Sequence, residues 1–549
     1  DSLTIAMFGM VTLAAAIIHF FSISSMRENP RFSRHFAAMG LLTFATLGLV
    51  LSATILQVLF FCELIGIASF LALGLWRGPA STRVSRAIVA QAIGAGLFVG
   101  IGLLVHDLGN VALPTLWAVM GKAAGGYSVT PSDGAMIPTS RLTLIGILLF
   151  AGVGAMAAQF PLQFWLPRTT TFSSPAGALI CSAGPTAAGV YLLARMYPIL
   201  TPDVRLLIAI IGVVTLTMGG LIALAQNDIR RLLAWCVVSQ FGYIILAVGI
   251  GSWVGAVFHL MTQGFVITLL VLAATSVGAA MNRRHNLSAM GGLWKKLPVT
   301  AAIFAVGALA LAGAPFFSGY YSRLMIGSDA AAYSIYATHT GQRAGAYWMV
   351  FILPTAIAYL IAFAIMRCWM LAFAGTSRSP AAFEQAREHA GQWAPLLAIA
   401  VPSIIAGYAM NIPELLRSSI AETNVICNEI LQPAARFTAF DETWPAVRPP
   451  PVEFDIDEST APAISVSPAA EAHEHGRTLA RKWLTWGWIV GMALAIAIYW
   501  KADGAPRRFL GFAPFRWINE WLSSAMYFEE LYDWTIGRPL RAVVKFYSR

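Results

Sequence analysis

Charged side chains are scarce in this chain. Only 11% of its 549 residues are Asp, Glu, Lys or Arg, whereas 58% are hydrophobic. Because a soluble domain carries about 25% charged residues, this composition excludes a soluble enzyme and predicts an integral membrane protein. The net charge of +10 does not indicate a nucleic-acid partner, since the Lys and Arg residues lie in short loops between apolar runs.

Cysteine is also sparse, and the cysteines are scattered singly. The five are Cys62, Cys181, Cys236, Cys368 and Cys427. Without a CxxC spacing, we expect neither an iron–sulfur cluster nor a structural zinc site. No nucleophile–base or metal-binding constellation stands out either. We therefore expect no catalytic residue, no metal and no cofactor within this chain, and we leave open whether it is a subunit of a larger enzyme.

Long apolar runs are what the sequence has in abundance. A helix of roughly 20 apolar residues spans the hydrocarbon core of a bilayer, and the alternating strands of a membrane barrel are absent. The sequence predicts an all-α bundle of about 13 transmembrane helices. These spans lie near 3–24, 36–55, 57–76, 87–106, 142–160, 175–195, 204–225, 232–251, 253–281, 299–315, 350–373, 394–410 and 484–500.

Basic residues alternate between successive connections. The first connection carries Arg27, Arg31 and Arg34, whereas the 251–253 link carries no charge. Under the positive-inside rule, this asymmetry places the N-terminus outside and the C-terminus in the cytoplasm of a bacterial-type inner membrane. The expected partners are the lipid bilayer and other membrane subunits.

Two segments depart from the apolar pattern of the bundle at 1–412. Residues 413–482 are polar, acidic and rich in proline, which predicts a loop on the outer face. A last transmembrane helix follows at 483–502. Residues 503–549 alternate aromatic and charged side chains at helical spacing. This pattern is typical of an amphipathic segment that lies on the cytoplasmic surface or docks on a cytoplasmic partner.

Two spans contain helix-breaking residues. Pro161 and Pro167 lie in FPLQFWLP, and Pro315 lies between two glycines in ALAGAPFFSGYYS. A broken membrane helix is tolerated only where it lines a cavity or the protein interior. The breaks fall at matching places in spans two to six and seven to eleven, which predicts two inverted five-helix repeats with discontinuous helices. Ordinary kinked helices are the alternative.

Ionisable side chains within the spans are few, and each is a functional candidate because a charge inside the bilayer is costly. Glu63 lies in the third span and His259 in the ninth. A lone carboxylate at that depth needs protonation or a neighbouring cation. For His259, a neutral histidine hydrogen-bonded inside the bundle and a proton carrier both remain open.

Several ordered segments resemble one family. They are FFCELIGIASFLALGLW, FPLQFWLP, AGVYLLARMYPIL, QNDIRRLLAWCVVSQFGYIILAVG, HLMTQGF, MGGLWKKLPVT and GALALAGAPFFSGYYSR. They resemble the large antiporter-like subunit of NADH:quinone oxidoreductase, which is subunit L of bacterial complex I and subunit 5 elsewhere, and its relative in the Mrp sodium/proton antiporter. The match continues to MYFEELYDWTIGRPL near the C-terminus. In that family, protons are thought to cross along a buried line of ionisable residues.

The resemblance assigns proton-path positions to this chain one by one. Glu63 and His259 match the family's residues, while Arg230 and Arg323 replace lysines and Gln263 replaces a histidine. Other proton-path positions hold side chains that cannot relay a proton in an apolar site, namely Met156, Cys181, Ile267 and Leu324.

The direction of these changes indicates a proton path that is interrupted or rerouted. An arginine at position 323 can anchor an anion or a carboxylate, but it effectively never deprotonates. The alternative is that ordered waters, Gln263, His259 and hydroxyl groups bridge the gaps.

Three functions follow from the resemblance and its departures. The first is a non-redox, antiporter-like membrane subunit of a complex I-type NADH:quinone oxidoreductase, associated with proton translocation. The second is a coupling subunit of an Mrp-type antiporter or of an inorganic-carbon uptake complex. The third is a structural paralogue that acts as a scaffold.

Overall fold

The computed structural model describes residues 2–72, 97, 99–106, 111–113, 139–169, 175–197, 200–339, 347–408, 413, 468–500, 513–532, 534–535 and 538–539. Within these ranges the chain is helical, and its only β-type pairing consists of two isolated bridges. The predicted all-α class is therefore confirmed. Cys427, with the rest of residues 414–467, and residues 87–96 of the 87–106 span lie outside the described residues.

The α-helices are numbered here in chain order. The first group is α1 (Ser2–Met26), α2 (Phe32–Val50), α3 (Ile55–Ala72), α4 (Thr139–Met156), α5 (Trp165–Thr169) and α6 (Pro175–Ser182). The second is α7 (Pro185–Arg195), α8 (Pro202–Ala225), α9 (Ile229–Gly249), α10 (Trp253–Ala280), α11 (Pro298–Ala312) and α12 (Ser318–His339). The third is α13 (Met349–Phe373), α14 (Pro380–Gln385), α15 (Ala390–Ile405), α16 (Pro468–Tyr499), α17 (Ala513–Ser523) and α18 (Phe528–Tyr532).

Nine helices in the described ranges are long and apolar enough to cross a membrane, with α6 and α7 counted as one. Three shorter apolar helices, α4, α11 and α15, lie at other predicted spans. Twelve of the thirteen predicted spans thus have a helix at the expected place, and residues 97 and 99–106 of the remaining span are also helical. The multi-pass membrane architecture is confirmed, while the inverted repeat stays a prediction.

Helix α10 forms the centre of the bundle. It packs against α1, α6, α9, α11, α12 and α15, and nearly all of its side chains are buried. A helix that is apolar on all sides is typical of the interior of a membrane protein. Its 28 residues span about 42 Å at 1.5 Å per residue, so α10 can carry polar side chains from one membrane face towards the other.

Small residues bring α8 and α9 into close contact. A Cβ added to Gly219 would lie 2.7 Å from the backbone nitrogen of Ser239, and one added to Gly242 would overlap the backbone of Leu216. Glycine at these positions lets two membrane helices approach backbone to backbone. The Ser239 hydroxyl donates to the Leu216 carbonyl at 2.8 Å across this contact.

The structure corrects four details of the prediction. The sequence predicts no helix directly after the second break, yet α12 runs from Ser318 to His339. Its serines and charged residues lower the mean hydropathy of this segment, although most of them are buried against other helices. The last helix begins at Pro468 rather than at residue 483, because its N-terminal part packs along α12 through Gly476. The 175–195 span is divided at Gly184, ahead of Pro185. Pro167 lies inside α5, where the first turn of a helix needs no proline N–H.

The C-terminal segment docks on the chain itself. The Ser523 carbonyl accepts a hydrogen bond of 3.2 Å from the Gln226 amide at the end of α8. The rings of Phe528 and Tyr532 pack on Phe160 and Phe164, with ring centres 5.9 and 4.4 Å apart. The predicted amphipathic segment is therefore helical in α17 and α18 and contacts the first helix break.

Candidate functional site

The first break lies between α4 and α5. After Met156 the backbone leaves the helix, and Ala158 adopts a left-handed φ of 51°. The indole nitrogen of Trp165 donates to the Ala155 carbonyl at 2.9 Å, and the backbone N–H of Phe160 donates to the Thr215 hydroxyl at 3.0 Å. These bonds satisfy backbone groups that the break exposes. The helix is therefore interrupted at Pro161 by a hydrogen-bonded, ordered segment.

Tyr532 covers this break from the C-terminal segment. Its hydroxyl donates to the Pro161 carbonyl, and its ring lies against Phe164. Burial raises the pKa of Tyr532 to about 12, so the hydroxyl keeps its proton and remains a donor. The Pro161 carbonyl is thus capped by a residue that lies 371 positions later in the chain.

The second break lies between α11 and α12. Gly313 ends α11 with a left-handed φ of 80°, and the backbone N–H of Ala314 returns to the Leu309 carbonyl at 3.0 Å. Helix α12 starts at Ser318, whose hydroxyl donates to the Ser403 carbonyl at 2.7 Å. A Cβ on Gly319 would overlap the Ala310 carbonyl. Pro315 lies within this non-helical segment, as the sequence predicts.

A polar cluster lies beside the second break. His259 on α10 and Arg323 on α12 are 0% and 3% exposed, and both pack near the ring of Tyr243, with its centre at 6.0 and 5.8 Å. Gln263 belongs to the same cluster, because its amide nitrogen lies 3.4 Å from where a Cβ on Gly319 would be. Three of the residues that the resemblance assigns to the proton path are therefore brought together here.

The hydrogen bonds around His259 fix its tautomer. The Thr262 hydroxyl donates to the His259 carbonyl at 3.0 Å, so it must accept from Ser322 across a 2.9 Å contact. Ser322 has then used its only hydrogen, and its oxygen accepts from His259 Nδ1 at 2.9 Å. Neutral His259 therefore carries its proton on Nδ1 and turns the lone pair of Nε2 to a side where no described residue bonds it.

Arg323 has a single hydrogen-bond partner in the described structure. Its Nη2 donates to Gln240 Oε1 at 2.8 Å, while its Nε and Nη1 have none. Ser322, Thr262, Gln240 and Tyr243 were not predicted from the sequence. The sequence does show polar residues in the segments of α9, α10 and α12. That these residues contact one another depends on how the three helices pack.

Glu63 is not part of this cluster. It lies half-buried on α3, a helix that packs on α2 and α7, and it forms no hydrogen bond or ion pair with a described residue. Arg230 is also outside the cluster. It lies in the first turn of α9, ten residues before Gln240, and pairs there with Asp228 at 3.8 Å. The structure therefore separates two of the predicted proton-path residues from the other three.

His285 lies next to Arg230. The His285 carbonyl accepts from the backbone N–H of Ile229 at 3.0 Å. Burial, and secondly the positive charge of Arg230, lower the pKa of His285 to about 4, against the opposing effect of Asp228. This histidine outside the membrane spans is therefore neutral at physiological pH.

The replaced positions lie in well-packed surroundings. Met156 is 1% exposed, and a Cβ on Gly189 would lie 2.9 Å from its own Cβ. Cys181 on α6 and Ile267 on α10 are fully buried, and Leu324 is half-buried. Among the described residues no group of His, Cys, Asp or Glu comes together as a metal site.

A second polar contact lies further along the interface of α10 and α12. Asp329 accepts a hydrogen bond from Ser252, which precedes α10, and His473 Nδ1 on α16 lies 3.7 Å from Asp329 Oδ1. Between this pair and His259, Gly255 faces Met325 and Ile326. The interface is therefore polar at two levels with an apolar layer between them.

Comparisons with known proteins agree with this architecture. Residues 52–341 match the family described as NADH:quinone oxidoreductase/Mrp antiporter, transmembrane. The chloroplast NAD(P)H-quinone oxidoreductase subunit 5 of Phaseolus vulgaris is 34% identical over 388 residues, which are 68% of this chain and 49% of that protein. The subunit 5 of Gossypium barbadense is 36% identical over 389 residues, with the same shares of 68% and 49%.

A solved structure shares the fold. A chain in the Mrp complex from Dietzia sp. DQ12-45-1b superposes with a TM-score of 0.69 at 20% identity, covering 99% of this chain and 52% of that one. The present chain thus spans about half the length of the relatives that it matches. At this identity the likeness concerns the fold alone.

Proposed function

The chain belongs to the NADH:quinone oxidoreductase/Mrp antiporter transmembrane family, and from this premise we propose that it is a non-redox, antiporter-like membrane subunit of a complex I-type assembly. In this proposal its proton path is interrupted or rerouted, it binds no cofactor, and its partners are other membrane subunits. The names of the relatives, which are subunits of an oxidoreductase and of an Mrp complex, support a multi-subunit setting.

The observation that carries the interrupted path is the pairing of Arg323 with Gln240. The family position holds a lysine, which can release a proton, whereas arginine keeps its charge. Glu63 lies on α3, which packs on α2 and α7 rather than on the helices of this cluster. Met156, which lies between the two regions in the sequence, packs against Gly189. Within the described part of the cluster, His259 is the one histidine, the residue type that most often relays protons in proteins.

We also propose that the basic end of the bundle faces the cytoplasm. Arg284 after α10 hydrogen-bonds Ser379 before α14, and Ser24 on α1 lines the same surface groove as Gln392 on α15. The basic loops after α1, α10 and α13 thus meet at one end of the bundle. The positive-inside rule then favours an outer N-terminus and a cytoplasmic C-terminal segment.

Proton uptake by proteoliposomes that contain the intact assembly tests the interrupted path. We expect Glu63→Gln to leave the number of protons taken up per electron pair unchanged, because Glu63 has no described route to His259. Glu384→Gln, an exposed carboxylate at the basic end, is the matched control. If Glu63→Gln lowers proton uptake and the control does not, the path through this subunit is intact and the proposal is wrong.

Purification of the assembly tests the rest of the proposal. Flavin- and cluster-bearing subunits should copurify with the tagged chain. Copurification of a zinc protein of the carbonic-anhydrase type, or of neither kind of partner, would contradict a complex I-type setting.

A further inference from the structure

Arg323 is a buried cation whose donors are mostly unused. The side chain is 3% exposed, its Nη2 donates to Gln240 Oε1 at 2.8 Å, and its Nε and Nη1 bond no described residue. Gln240 is itself 0% exposed, and with its oxygen engaged its amide nitrogen is also left without a partner. Donors from two helices, α9 and α12, are therefore left open at one place.

Arg367 on α13 shows how this chain satisfies a buried arginine. It is 8% exposed, similar to Arg323, but its nitrogens donate to the carbonyls of Leu224 and Gln226 at 3.3 and 2.8 Å and to the side-chain oxygens of Asn227 and Tyr499 at 2.5 and 3.1 Å. The carbonyl dipoles at the end of α8 balance this charge. Arg323 has only one hydrogen-bond acceptor, Gln240 Oε1, among the described residues.

The charge of Arg323 needs a negative partner. An unpaired ion taken out of water is strongly destabilising, and a membrane interior offers no bulk water to offset this cost. No described carboxylate lies within ion-pair distance of Arg323. A carboxylate from a partner subunit cannot reach it, because Arg323 and the neighbouring Gln240, His259 and Ser322 are at most 3% exposed.

The open nitrogen Nη1 faces the second helix break, because a Cβ added to Gly313 would lie 3.3 Å from it. At the same break, the Gln263 amide beside Gly319 has both its nitrogen and its oxygen free of described partners. The break therefore offers hydrogen-bond donors to a small ligand, and no described side chain neutralises the charge of Arg323.

We propose that Arg323 binds a small monovalent anion, of the size of chloride or bicarbonate, beside the break between α11 and α12. Arg323 is the only permanent cation in the described cluster, so one negative charge balances it and a dianion such as sulfate does not. The amide of Gln240, whose oxygen bonds Arg323, is the uncharged donor next to this site, and the Gln263 amide lies beside the same break. This site does not depend on the proposed function, because it follows from burial and hydrogen bonding alone.

Thermal unfolding of the full purified chain, with any copurifying subunits, tests the site. At constant ionic strength, replacing gluconate by chloride should raise the unfolding temperature in a saturable way by a few degrees. A parallel titration with bicarbonate identifies which anion is preferred, and sulfate should have no saturable effect. Binding of radioactive chloride by equilibrium dialysis should saturate at one ion per chain.

Three variants separate the site from general salt effects. Arg323→Gln should abolish both the temperature rise and chloride binding. Arg367→Gln alters another buried arginine, whose nitrogens already have acceptors, and should keep both. Gln240→Glu places a carboxylate where Arg323 already bonds, so this variant should fold stably in gluconate and bind no chloride. The proposal is overturned if the unmodified chain binds no anion, or if Gln240→Glu still binds chloride as tightly as the unmodified chain.

Discussion

Replacing Gly319 by alanine should strongly destabilise the second helix break. The added Cβ would overlap the Ala310 carbonyl oxygen and lie 3.2 Å from its carbon, and both are backbone atoms that no rotamer change can move. Helix α12 would have to shift against α11. Overpacking of this kind costs about 1–3 kcal/mol, and we expect the upper end because the obstacle is main chain.

Gly40→Ala is the matched control. Gly40 lies within α2, and a Cβ at this position meets nothing within 4 Å. The gain in helix propensity should make this variant more stable by about 0.5–1 kcal/mol. The two alanine variants should therefore differ by about 3.5–4 kcal/mol in the free energy of unfolding.

Equilibrium unfolding of the purified chain in mixed detergent and denaturant measures this difference. A third variant, Gly313→Ala, separates overlap from backbone strain, because Gly313 has a φ of 80° and its Cβ would meet only the flexible Arg323 side chain, at 3.3 Å. It should lose about 1–2 kcal/mol through the left-handed backbone alone. If Gly319→Ala is as stable as Gly40→Ala, α11 and α12 do not approach each other as described.

Two further predictions concern the membrane surface. The pKa of His285 is about 4 in the folded chain and about 6.5 when unfolded, so the unfolded state binds more protons between these values. The stability of the fold should therefore decrease as the pH drops from 6.5 to 4. His285→Gln should flatten this dependence of the unfolding free energy on pH, and an unchanged slope would contradict the burial of His285. Tyr532→Phe removes the hydrogen bond to the Pro161 carbonyl but keeps the ring on Phe164. It should weaken docking of the C-terminal segment by about 1 kcal/mol and speed hydrogen exchange of α17 and α18, and Tyr532→Ala should speed this exchange more. Equal exchange in both variants and the unmodified chain would show that the segment is not held at this break.

The helix breaks could be predicted from the sequence because their causes are local. Pro161, Gly313 and Pro315 act on their own backbone whatever surrounds them. The apolar spans were predictable for the same reason, since a run of apolar residues needs no knowledge of its neighbours to be expelled from water.

The polar cluster could not be predicted, because it is made by residues that are distant in sequence. His259 and Ser322 are 63 residues apart, and Gln240 and Arg323 are 83 apart. Helix α12 was missed for a related reason. Averaged hydropathy counts Ser322, Arg323 and Asp329 as polar wherever they point, whereas the structure turns them towards α9 and α10.

The contact between Tyr532 and Pro161 also sets an order of assembly. The two residues are 371 positions apart, so the Pro161 carbonyl has no partner from Tyr532 until a further 371 residues have been synthesised and inserted. Chains fold largely as they emerge, and a contact of such long range forms late. Closure of the first break would thus wait for synthesis of residue 532, and a chain cut before Tyr532 would enter the membrane with the Pro161 carbonyl uncovered.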